Sequence, residues 1–261
     1  MTPTSSPVPS PPARGTAWQA VITFLVVTIL ASGLFWSSRL WSPLHQNLHA
    51  LIAVLFFYAP VVAERWRGRR FDFETAGLRS DPLRTNLAIL GLALALTFPL
   101  FIAAFFAFYQ GVCSLTEPAW PHTVVRLRQL CPSAWLGWAG GHVHLTWDIA
   151  SLAFSQVVVV ALPEELFFRG YLMGELEAAW PSRRQVLGAP VGRALWASAA
   201  LFALGHLLVD FNPQRLAVFF PGLVFGWMRS RTGSLAAGAI FHALCNVLSE
   251  VLHTGFFAHT G

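Results

Sequence analysis

The sequence predicts an all-α fold, a polytopic transmembrane helix bundle of about seven to eight helices. Three observations carry that prediction. Of 261 residues, 55% are hydrophobic and only 11% are charged, with a mean hydropathy of +0.57, whereas a soluble domain carries about a quarter charged residues. Apolar stretches of membrane-crossing length recur along the chain, and the basic residues gather in the short segments between them. All 17 basic residues are arginine, a bias that a GC-rich genome produces without any functional cause.

Taken in order, residues 1–15 are rich in Pro and Ser (Pro3, Pro7, Pro9, Pro11, Pro12) and hold too little apolar surface to fold, so a disordered tail is expected. Trp18–Trp36 is the first stretch long enough to cross about 30 Å of hydrocarbon at about 1.5 Å per residue. It lacks the short apolar core and small-residue cleavage site of a signal peptide, and is read as an uncleaved anchor. Further spans are expected at Leu44–Ala63, Asn86–Tyr109, Ile149–Trp180, Arg193–Val209, Leu216–Met228 and Ser234–His253, seven in all. One membrane domain over residues 16–255 is the simplest parse, with the motif-bearing core at about 150–250.

Arg65, Arg67, Arg69, Arg70, Arg79 and Arg84 all lie between the second and third spans. Positive loops remain in the cytoplasm, so the amino terminus is expected inside. The net charge of +5 is therefore a topology signal, and nucleic acid is not an expected partner. The loop from about 110 to 148 then falls outside. It holds Cys113 and Cys131, candidates for a disulfide in an oxidising compartment. His142, His144 and Asp148 in the same loop have a spacing that a metal can use, although solvated interface residues explain them as well.

Ionisable side chains inside hydrocarbon cost roughly 2.5–3.5 kcal/mol each and so mark functional sites. Three sets stand out. The first is Glu164, Glu165 and Arg169 in the unusually long fourth span. Neighbouring carboxylates lie about 100° apart around a helix, which keeps them from sharing one partner, whereas Glu165 and Arg169 are four apart and can pair. Glu164 is thereby free for another task. The second set is Phe202 and His206, and the third is His242 and Asn246, four apart on one face of the last span. Counted along their helices, Glu164 and His206 lie at about 24 Å and 20 Å from opposite boundaries, both near mid-depth.

Each set alone has a plain structural role available: an interfacial carboxylate, a packed imidazole, or a polar helix contact. Together they supply what water-activated amide hydrolysis needs, a carboxylate base and donors for an oxyanion. Gly222, Gly226, Gly233 and Gly238 read as close helix packing.

These motifs, Glu164-Glu165-x-x-x-Arg169, Phe202-x-x-x-His206 and His242-x-x-x-Asn246, resemble in order and spacing those of the CAAX-prenyl-protease and bacteriocin-immunity (Abi, CPBP) family of glutamate-type intramembrane proteases. Gly233-Ser234-Leu235 ahead of the last motif fits the same pattern. The resemblance spans about residues 150–250 and implies a metal-free, cofactor-free endopeptidase. In it Glu164 and His206 activate water, His242 and Asn246 stabilise the oxyanion, and Glu165, Arg169 and Phe202 support the site. It further implies a membrane-anchored protein or peptide substrate cut near its carboxyl terminus, and a bacterial inner-membrane sorting enzyme of myxosortase type is one such member. Two other classes stay open at this point. One is a zinc-dependent membrane protease, against which the absence of a His-Glu-x-x-His motif counts. The other is a non-catalytic immunity, chaperone-like or proton-relay membrane protein.

Overall fold

The computed structural model describes residues 15–79, 81–114, 134–143 and 147–258. The chain forms α1 (Gly15–Ser38), α2 (Ser42–Trp66) and α3 (Leu83–Ser114). The long α4 (Asp148–Ala179) follows, then a hairpin of β1 (Arg184–Val186) and β2 (Ala189–Val191) paired antiparallel, with Arg184 opposite Val191. Three helices end the fold: α5 (Arg193–Asp210), α6 (Phe219–Thr232) and α7 (Ala236–Phe256). Among the described residues the regular structure is helical apart from that hairpin and a single bridge between Trp135 and Phe257. His144, Cys131 and the Pro-rich tail up to residue 14 lie outside the described residues. Cys113 is disulfide-bonded.

Six of these helices are long and apolar enough to cross a membrane, one fewer than the sequence predicts. The exception is the 216–228 stretch. Its first residues belong to a 3-10 turn over Pro213–Val218, and α6 proper has 14 residues, about 21 Å of helix. Pro221 is the cause. Without an N–H it cannot bond back to Ala217, so the α-helix begins two residues earlier, where a proline in the first turn is tolerated. The turn and α6 together still carry the chain back across the bundle.

Contacts at the two ends show this. At one end the arginine-rich segment after α2 is stitched to α6 and α7: Arg229 donates to the carbonyls of Ala76 (3.2 Å) and Thr75 (3.0 Å), Leu235 N–H to Gly77 (2.8 Å), and Arg79 to Gly233 (3.2 Å). Arg67 and Arg69 clamp Glu64 of α2 and Glu175 of α4 there, with Arg67 Nη1 2.7 Å from Glu64 and 2.8 Å from Glu175. At the other end His142 N–H donates to Gly255 (3.0 Å), and Ser32 of α1 donates to Leu208 of α5 (3.0 Å).

The motif-bearing helices form the interior. Only 11% of the apolar windows of α2 and α3 is buried within the protein, against 44% for α7, so the former present their apolar sides to the lipid. The core lies where α4, α5, α6, α7 and α1 meet, and is built on Phe24, Phe167, Phe168, Phe202, Phe225 and Phe241. Aromatic rings of this size bury large areas and contribute most of the packing energy.

Candidate active site

The fourth helix departs from α geometry around its carboxylates. Gln156–Ala161 and Leu166–Leu172 are π-helical and flank a single α-turn, Leu162–Glu165. Pro163 gives a local reason: its ring would collide with the carbonyl of Val159 in a regular α-helix and leaves that carbonyl without a donor. Widening the preceding turn relieves the clash, and such insertions cluster at functional sites.

Glu165 and Arg169 form the pair expected from their spacing, Nη1 to Oε1 3.0 Å, and the side chains are 1% and 0% exposed. The guanidinium also donates to the carbonyl of Gly222 (3.1 Å) and lies over the rings of Phe202 (4.3 Å) and Phe225 (5.0 Å). The glycine matters because a methyl there would stand 3.1 Å from Arg169 Nη2. A cation this deep needs such compensation, which here reaches Nη1 and Nη2 and leaves the buried Nε without a partner among the described residues.

His242 reaches Glu165 through Nδ1 (3.1 Å) while its Nε2 faces Glu164 Oε2 at 3.8 Å. The sequence reading kept the two carboxylates from sharing a partner, and the structure differs. An imidazole carries nitrogens on two edges, so one ring spans carboxylates that a single donor cannot. Its face is stacked on Phe225, with centroids 4.7 Å apart and planes inclined by 17°.

From α5, His206 Nε2 faces the same Glu164 Oε2 at 4.0 Å, and its Nδ1 lies 2.9 Å from the carbonyl of Phe202. A carbonyl only accepts, so Nδ1 carries the proton there. His242 Nδ1 likewise meets Glu165 Oε1, the oxygen that also accepts from Arg169. Both rings thus turn Nε2 toward Glu164 Oε2. The 3.8–4.0 Å separations are too long for direct hydrogen bonds, and Glu164 Oε2 is buried with no partner among the described residues.

Glu164, His206 and His242 are therefore brought together, with Glu165, Arg169 and Phe202 packed beside them. Asn246 is placed differently: its Nδ2 donates to Gln156 Oε1 at 2.8 Å, and no direct bond joins it to the Glu–His cluster. Gln156 and Phe225 are absent from the residues singled out in the sequence. Gln156 carried a signal, a carboxamide inside the apolar run of the fourth span, of the kind that marks interior-facing positions. Phe225 carried none, since a phenylalanine in an apolar helix looks like any other core residue. Among the described residues no group of three or more His, Cys, Asp or Glu is arranged to hold a metal ion.

The fold and this cluster define a polytopic helical integral membrane protein with carboxylates and imidazoles gathered inside its bundle. Residues 146–248 match the family model described as Rce1-like, type II CAAX prenyl endopeptidase. This segment belongs to the CAAX-protease family, which makes the protein a protease of the hydrolase class. No curated protein and no solved structure matches the chain.

Proposed function

We propose that the chain is a glutamate-type intramembrane endopeptidase, one membrane domain over residues 16–255, that cuts membrane-anchored protein substrates near their carboxyl termini. The observation that carries this reading is the convergence of His206 Nε2 and His242 Nε2 on one buried, unpartnered carboxylate oxygen of Glu164. Three helices supply the three groups, so the juxtaposition is a product of the whole bundle.

In the reaction, water held between Glu164 and His206 loses a proton to Glu164 Oε2 as its oxygen bonds to the peptide carbonyl carbon. His242 and Asn246 donate to the oxygen that becomes negative. The C–N bond then breaks, and Glu164 returns the proton to the departing amine. His242 donates from Nε2 in its doubly protonated form, and the local charges suit it. Two carboxylates stand against the one cation of Arg169, and an imidazolium completes the balance. Glu165 and Arg169 hold the ring as an orienting carboxylate holds the imidazole in a hydrolytic triad.

The family description, a CAAX prenyl endopeptidase, supports a substrate whose tail is held at the membrane. We place the enzyme in a bacterial inner membrane, in protein processing or sorting, with the arginine-rich end in the cytoplasm by the positive-inside rule. The test compares membrane proteomes of cells carrying wild-type protein or Glu164→Gln. Precursors that persist only with the variant, at equal protein abundance, support the reading. Identical proteomes refute it.

A further inference from the structure

We infer that Gln156 is a positioning residue for the oxyanion site, setting which way the carboxamide of Asn246 points. The inference rests on the hydrolytic reading above and extends it to a residue on the catalytic helix two turns before Glu164.

The argument begins with helix geometry. In a regular α-helix, eight residues rotate the chain by about 800°, which would leave Gln156 about 80° away from the face of Glu164. A single extra residue accommodated by π-widening takes back about 100°. The π-helical stretch begins at Gln156 and ends at Ala161, between the two positions. The same distortion that admits Pro163 thus rotates Gln156 onto the face that carries the base. Opposite it, His242 and Asn246 are one turn apart on α7. His242 meets Glu165 and Asn246 meets Gln156, so the two helices are joined by two polar contacts.

The second step is chemical. A carboxamide has a donating and an accepting end of nearly equal size, and it turns over at little cost unless a partner distinguishes them. An oxyanion needs the donating end, because a carbonyl oxygen aimed at it repels. Gln156 Oε1 accepts one Nδ2–H of Asn246 at 2.8 Å in a part-buried setting. Since the amide is planar, holding one N–H fixes the other and turns Oδ1 away. The remaining N–H is then presented as a donor before the substrate arrives, which is what preorganisation requires.

The experiment uses full-length protein in vesicles of phosphatidylethanolamine and phosphatidylglycerol, with the precursor that accumulates in Glu164→Gln membranes as substrate. Gln156→Met keeps length and removes the acceptor. It should lower kcat by about 10- to 100-fold, the usual effect of losing a group that orients a ligand or donor, with KM within about twofold of wild type because the ground-state contacts are kept. Gln156→Glu retains an acceptor and has no donating end to confuse, so it should recover most of the lost turnover. The double variant Gln156→Met with Asn246→Ala should be no slower than Asn246→Ala alone.

A Gln156→Met enzyme with full turnover overturns the inference, as does a double variant whose losses multiply. Equal losses in Gln156→Glu and Gln156→Met, in protein that accumulates normally, overturn it too. Activity retained in Glu164→Gln, or no accumulating precursor at all, sinks instead the hydrolytic reading beneath it.

Discussion

Replacing Arg169 with Met, alone and together with Glu165→Gln, is the most direct probe of how the site is held. The arginine is 0% and the glutamate 1% exposed at the side chain, so neither charge is shared with water. Methionine fills much of the same volume but leaves Glu165 without its guanidinium partner, and leaves the carbonyl of Gly222 without its donor. Removing one partner of a buried pair costs about 3–5 kcal/mol, whereas removing both is often near neutral. Arg169→Met should therefore lose about 3–5 kcal/mol of stability, and adding Glu165→Gln should restore most of it. The measurement is a double-mutant cycle from reversible denaturation of purified protein in micelles. A coupling of at least about 2 kcal/mol is expected, and strictly additive losses would refute the claim that these charges depend on each other. Cleavage should stay low in the rescued double variant, because His242 then lacks the carboxylate that fixes its Nδ1.

Other outcomes follow from the same geometry. Glu164→Gln should lower turnover by about 10²- to 10⁴-fold, the range for losing a general base, with little change in thermal stability; undiminished cleavage would remove Glu164 from the chemistry. Activity should survive prolonged treatment with a zinc chelator, and inactivation that zinc reverses would overturn the metal-free scheme. Gly222→Ala should cost about 1–3 kcal/mol by overpacking, since the new methyl would meet Arg169 Nη2 at 3.1 Å and Phe202 Cδ1 at 3.3 Å. Equal stability of wild type and Gly222→Ala in the same denaturation assay would show that α6 can shift away from α4.

Much of the bundle was readable before any coordinates. Hydrocarbon demands long runs of apolar residues with satisfied backbones, so five of the seven expected spans match long helices at about their expected places, and the first matches with a few residues to spare at each end. The exception, 216–228, is a short helix shifted to Phe219–Thr232 behind a 3-10 turn, because hydropathy counts side chains and does not see where a proline lets a helix start. The Glu165–Arg169 pair was legible because both residues sit on one helix, where spacing alone sets the distance.

Apolar period, arginine placement and the Glu, His and Asn motifs were thus determined by the sequence itself, because each depends on local spacing or on preference for solvent. The tertiary structure alone decided that one imidazole spans both carboxylates, that Phe225 stacks on that ring, and that Asn246 meets Gln156 rather than the cluster. The polar contacts join residues 77 to 90 positions apart and depend on a π-widened turn that no helical period anticipates, and the Phe225–His242 stack joins two separate helices. They exist because the packing of α4 against α6 and α7 places the groups within reach, and that geometry is a property of the assembled bundle.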